Sequence, residues 1–392
     1  TSFLERLRSR VFRDGEYSCT RCSMKKYDFE VKEKIKKHIA DSVLNVKDSL
    51  KAHRDSVKEA TPRILETFAF PDSLQYKRII QWTHEREFHK MDVKQPDTSY
   101  NHWLHDYPFY RKDVNATWLG VAGSALQYYN WFNRTSENGV SFYNPYESWT
   151  YSTKTLPMYN TKTPYTELAY FGTIFANAQK ESDNLHILTT QNIFPELNFT
   201  LEYDRFGGNG IMQGEKTTNK TFVTSVNYLG KRYMMHTGYI HNKVIRKENG
   251  GTSDNSMVRD TTLDAREYPI NLNNASTDLI RNTFFLDQQY RIPFTFIRNI
   301  KDRKIDKAFK DSLLASGDTA RIDSLDVFLA RRRAAREAAD TLGDNNITTA
   351  FIGHSSEYSV FRKTYADQIT DAAGKAFYND VFNYNPTTSF LL

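Results

Sequence analysis

At 392 residues the chain is long enough for a sizeable core, yet only 39% of it is hydrophobic and its mean hydropathy is -0.66, a polar average for a packed enzyme of this size. Lys and Arg (53) nearly balance Asp and Glu (47), so the formal charge of +6 is no dense basic footprint, and no nucleic-acid partner is expected. No run approaches the roughly 18 apolar residues of a membrane helix, which excludes a helical membrane protein but not a barrel, whose strands need only about 9–11 alternating residues.

The 24 Tyr, 26 Phe and 5 Trp put much of the apolar surface on rings of the kind membrane interfaces favour. The first residues, Thr1-Ser2-Phe3-Leu4-Glu5-Arg6, lack an apolar signal core, and the expectation is an exported protein whose signal has been removed. The two cysteines, Cys19 and Cys22, lack the second pair or spaced histidines that would complete a zinc site. A redox dithiol or half a metal site is one reading; a structural disulfide or two free thiols is the plainer one, and export favours the disulfide.

From about Asp28 to Ala60 the chain is highly charged, but Ile39, Val43, Val46, Leu50, His53 and Val57 recur at steps of four and three. This heptad stripe predicts a solvated helix that packs against a partner, ending near Thr61-Pro62. A membrane-surface helix would want a wider stripe with Trp and Phe. Pro71 to Tyr110 has no sustained period, and its histidines, His84, His89, His102 and His105, read as ordinary polar residues rather than metal ligands.

After Pro164 the period becomes two. Leu197, Phe199, Leu201 and Tyr203 alternate with Asn198, Thr200, Glu202 and Asp204, as in a strand with one greasy and one wet face. Phe222 to Tyr228 and Phe284 to Tyr290 alternate likewise, and Glu167 to Asn177, Asp183 to Phe194, Arg232 to Ile245 and Ile347 to Val360 are further strand candidates. Pro195-Glu196 and Gly230-Lys231 read as tight turns, whereas Gly207 to Thr218 and Arg246 to Ile280 read as long polar loops. Membrane barrels place short turns on the periplasmic side and longer loops outside. By that rule Pro293 to Asn346, with helices expected over Lys301 to Ala315 and Thr319 to Leu342, is periplasmic, and Arg331-Arg332-Arg333 reads as a solvated face or as a contact to anionic lipid or an acidic partner.

Motifs for chemistry fail on spacing. Gly207-Gly208-Asn209-Gly210 and Gly214-Glu215-Lys216-Thr217 lack the Gly-Lys step of a phosphate loop and lead into a strand pattern. Gly353-His354-Ser355-Ser356-Glu357 lacks the closing Gly of a nucleophile elbow. Glu202 and Asp204 lie some seven ångströms apart on strand geometry, a cation-selecting patch or simply part of a wet wall. No base, nucleophile and orienting group assemble, so no enzyme, cofactor or metal is expected.

Asp-Ser or Asp-Thr before a small or aliphatic residue recurs at Ser42, Ser49, Ser56, Ser73, Ser312, Thr319, Ser324 and Thr341. The pattern resembles the O-glycosylation motif of exported Bacteroidetes proteins; equally, Asp-Ser is a common helix-start pair that the heptad repeats. Tyr110-Arg111-Lys112-Asp113-Val114, Trp118-Leu119-Gly120, Gly123-Ser124, the more specific Tyr159-Asn160-Thr161-Lys162-Thr163-Pro164-Tyr165, and Phe351-Ile352-Gly353-His354 together resemble the porin family of Bacteroidetes outer membranes, over roughly Phe109 to the C-terminus. The resemblance implies an outer-membrane barrel for diffusion of small solutes. About seven or eight strands are read here, fewer than such barrels carry, and Thr388 to Leu392 is expected not to be the closing strand of the whole protein.

The resulting expectation is an all-β transmembrane antiparallel barrel, partial in this chain, with N-terminal and inserted helical periplasmic segments. Residues 1–70 form the charged helical segment, 71–165 an irregular aromatic-rich lead-in, and 166–392 the barrel with its helical insertion at about 294–346. Asn198, Thr200, Glu202 and Asp204 would line the lumen. Outer-membrane lipid and lipopolysaccharide would surround the barrel, and other envelope proteins could meet the helices. The alternative is a non-conducting subunit that anchors or recruits partners in a larger assembly or secretion complex. A soluble carbohydrate-binding β protein is disfavoured by the loop alternation.

Overall fold

The computed structural model describes residues 21–60, 63–64, 78–85, 90–94, 96, 116–134, 140–172, 182–259, 262–315, 328–329, 331–332, 335, 348–368, 375, 377–378 and 389–391. The chain divides into two compact units, Thr1–Pro62 with Ile292–Ala350, and Arg63–Arg291 with Phe351–Leu392.

The first unit is helical where described. Helix α1, Arg21–Ala60, runs 40 residues, and Val31, Ile35, Val46 and His53 are half-buried along it between exposed charged residues. Helix α2, Phe294–Ala315, begins earlier than the sequence pattern suggested, because Phe294, Phe296 and Ile297 carry the apolar spacing back to Pro293. Phe328 meets Phe309 of α2 with ring centroids 5.9 Å apart, and Arg332 lies 3.9 Å from the buried Asp306. None of the helices is long and apolar enough to cross a membrane among the described residues.

The second unit is β-rich. Strands β1 (Ile79–Glu85), β2 (Lys90–Lys94) and β5 (Pro157–Thr161) form a small antiparallel sheet ordered β2-β1-β5, and β3 (Ala116–Trp118) pairs with β4 (Leu126–Tyr128). A 3-10 helix, Asn144–Trp149, follows. The chain then enters β6 (Tyr165–Phe171), β7 (Ser182–Phe194), β8 (Leu197–Asn209), β9 (Lys216–Leu229), β10 (Tyr233–Glu248), β11 (Ala275–Pro293), β12 (Thr348–Gln368) and β13 (Ser389–Leu391). These make one sheet in strict chain order. From β6 through β11, and again between β12 and β13, neighbouring strands are antiparallel. β6 and β13 are its outermost strands, so the sheet is not closed among the described residues.

Alternation fixes the two faces. Along β9 every second residue is buried, from Thr217 to Leu229. A slip of one residue would turn that whole set over, so the register is strongly specified. Phe194 pairs with Leu197 across the expected tight turn, and Leu229 with Met234 across the other. The expected loop over Gly207 to Thr218 shrinks to residues 210–215, because β8 and β9 keep pairing as far as Asn209 and Lys216. The other long loop spans residues 249–274 and is tied by an isolated Thr252–Ile270 bridge.

Candidate functional site

One face of the large sheet, hereafter the inner face, carries polar residues that are buried. Directly opposed positions run across the strands in rows: Leu188, Glu202, Val223, Ile240 and Thr283 form one, and His186, Asp204, Thr221, Asn242 and Arg281 the next. What buries them is an inner segment, the described part of residues 63–164, which precedes every strand of the sheet.

Apolar contacts join the two in three places. Ile64, Trp82, Met91, Leu156 and Met158 pack with Val223, Leu229, Met234, Ile240 and Phe285 of the sheet. Ala116, Leu126, Tyr128 and Trp149 surround Phe206, with the Trp149 and Phe206 rings stacked at 4.8 Å. Tyr143 and Tyr146 meet Val244 and Leu279.

Polar groups between these clusters must find partners, because burying them unpaired costs on the order of 1–3 kcal/mol each. Asparagine amides of the sheet supply many of the bonds. Asn219, Asn227 and Asn242 donate from Nδ2 to the backbone carbonyls of Gly123, Tyr159 and Tyr151 at 3.0, 2.9 and 2.9 Å. Asn192 Oδ1 accepts from the Thr161 backbone N–H at 3.0 Å. Trp82 donates its indole N–H to His236 Nε2 at 3.2 Å, and His84 stacks on His236 at 4.4 Å.

Arg281 engages this interface by both charge and ring contact. Its guanidinium lies 5.7 Å from the Tyr143 ring and 5.3 Å from the Phe361 ring, and its amino groups are 3.7 Å from Glu147 and 3.6 Å from Glu357. Glu147 belongs to the inner segment and Glu357 to β12, so one buried arginine links the two. Thr153 adds a hydrogen bond to Glu357 at 2.9 Å. Burial pushes the neighbouring Tyr143 phenol up to about 12, against the lowering effects of its Thr150 hydrogen bond and of Arg281.

The outer face is different in kind. Phe199, Leu201, Tyr203, Phe222, Val226, Tyr228, Met235, Tyr239, Phe284 and Leu286 share it, with Leu168 and Tyr358 among its most exposed members at 68% and 71%. From Leu197 to Tyr203 this apolar surface rises roughly 20 Å at about 3.3 Å per residue. Arg205, Lys220 and Lys243 form the next row toward the loop end. At the turn end, Tyr228, Tyr233 and Tyr290 gather, and Phe194 joins their row through its pairing with Leu197.

The residues singled out in the sequence fall unevenly. Asn198, Thr200, Glu202 and Asp204 all face inward. The first three are 0%, 1% and 2% exposed, so they lie beneath the inner segment instead of lining open water. Asn198 is a hub there, donating to Asn192 Oδ1 at 2.8 Å and accepting from Thr200 Oγ1 at 2.9 Å. Glu202 and Asp204 are joined by His186, which the pairing register brings opposite Asp204 and which sequence spacing did not reveal. Cys19 lies outside the described residues, and of Cys22 only its place in α1 is described. Ser42, Ser49 and Ser56 sit on α1, and Ser312 on α2 donates to the Phe309 carbonyl at 3.1 Å. Ser73, Thr319, Ser324 and Thr341 are outside the described residues.

A sheet with one apolar and one polar face is what a barrel wall requires, and the sequence comparison agrees. The family model described as "Putative porin" matches residues 78–390. The chain belongs to this family. No curated protein and no solved structure matches it. The matched span of this porin-family chain takes in both the large sheet and the inner segment from β1 onward.

Proposed function

We propose that this porin-family protein is an outer-membrane barrel for passive diffusion of small solutes, and that its own inner segment regulates passage along the polar inner face. The outer face carries the reading. Its Phe, Leu, Val and Tyr side chains form an apolar band roughly 20 Å long along the strands, about 15 Å of height at a strand tilt of about 40°, of the kind lipid demands of a barrel, and lipid is its natural partner. The inner face supports the second half, since Asn, Glu and Arg side chains there meet the inner segment through hydrogen bonds and ion pairs.

A rival reading has an observation of its own. Three apolar clusters and the Arg281 link fix the inner segment firmly, as suits a non-conducting barrel that anchors partners in a larger envelope complex. Single-channel recording in a planar bilayer separates the two. Conductance steps from the wild type, or steps that become frequent only in Arg281→Ala, support diffusion under control of the inner segment. A protein that inserts in both forms and conducts in neither overturns it in favour of the anchor.

A further inference from the structure

His186, Glu202 and Asp204 meet on the inner face, in the two adjoining rows that also carry Val223 and Asn242. His186 and Asp204 are directly opposed across β7 and β8, and Glu202 is two residues along the same face. His186 Nδ1 lies 2.5 Å from Asp204 Oδ1 and 3.8 Å from Glu202 Oε1. One ligand-type atom from each residue lies within 4.8 Å of the other two.

We propose that these three residues bind one divalent transition-metal cation of the zinc class. One imidazole nitrogen with two carboxylates is a donor set that suits such ions. With the imidazole neutral, the triad carries two negative charges, matching a divalent ion. Donors about 2.0–2.2 Å from zinc stand roughly 3–4 Å from one another. The Glu202 separation already satisfies this, and Asp204 needs only to retreat by about 1 Å, a side-chain adjustment.

The setting strengthens the attraction. Glu202 is 2% exposed, and in its row it is flanked by Leu188 and Val223, at 3% and 0%. The low local dielectric there raises the gain from a cation placed against the carboxylate. Asp204, with 26% of its side chain exposed, leaves the triad open to solvent on one side. Both strands are locked into a long ladder, so the ligands sit on rigid elements.

The test is calorimetric titration of the detergent-folded full chain with zinc chloride, comparing the wild type with His186→Ala and Asp204→Asn. A binding event of one ion per chain, weakened at least about tenfold in each variant, is the expected result. No event, or one that both variants leave unchanged, overturns the proposal. Since a variant could misfold, X-ray absorption on the zinc-loaded wild type gives a second reading. An imidazole nitrogen with oxygen neighbours supports the site, and a shell without nitrogen overturns it. Bilayer conductance tests the pore reading separately, so failure of one leaves the other standing.

Discussion

Arg281 secures the inner segment by charge and by ring contact together, and its removal leaves Glu147 and Glu357 facing each other across the gap. Losing one partner of a buried ion pair costs about 3–5 kcal/mol, but both glutamates here are partly exposed, so a value at or below the bottom of that range is expected. Arg281→Ala should lower the unfolding free energy by about 2–3 kcal/mol, read by urea titration in micelles. Arg281→Lys, which keeps the charge without the flat guanidinium, should recover only part of it. Tyr143, in the same cluster, makes stability depend on alkaline pH. Its folded phenol stays protonated up to about 12, whereas the unfolded one ionises near 10. The folded state therefore holds the extra proton, and its contribution is complete below pH 10 and lost as pH rises toward 12. Unfolding titrations at pH 9 and pH 11.5 should show a fall that Tyr143→Phe flattens.

At the scale of elements, the alternating strands were legible because period two survives in any single stretch such as Leu197 to Asp204. Alternation says that a face is polar; it does not say what covers it. The inner segment was therefore missed, since strands as short as Ala116–Trp118 and Leu126–Tyr128 are too brief for a period to emerge. The His186 triad was hidden for another reason: its members are brought together by pairing register across a hairpin, and no local spacing encodes that. Helix α1 was visible through its stripe. Two substitutions probe these elements. Val226→Arg, on the outer face of β9, should cost about 2–4 kcal/mol in a bilayer if that face meets lipid, and folding into vesicles against urea measures it. Gly123 sits at φ +93°, and a Cβ there would lie 3.2 Å from Asn219 Nδ2 and 3.3 Å from Phe206. Gly123→Ala should therefore cost about 1–2 kcal/mol and loosen the inner segment, read by the same unfolding titration.

For the molecule as a whole, the five tryptophans offer a convenient division, since Trp82, Trp103, Trp118, Trp131 and Trp149 all precede the large sheet. Tryptophan emission therefore follows residues 82–149, while far-UV circular dichroism is weighted toward the sheet. With three shared apolar clusters, the two signals should change at the same urea concentration; an earlier shift in emission would mean that the inner segment leaves a standing wall. Chain order adds a constraint of timing. Each neighbouring pair in the large sheet is consecutive in sequence, so the wall can zip up hairpin by hairpin, and loop closure between neighbours is inexpensive. The inner segment, however, is delivered before any of those hairpins exists. Its apolar clusters with Val223, Phe206 and Val244 can form only once the strands that carry those residues have paired, so the burial of the inner segment and the completion of the sheet belong to the same late step.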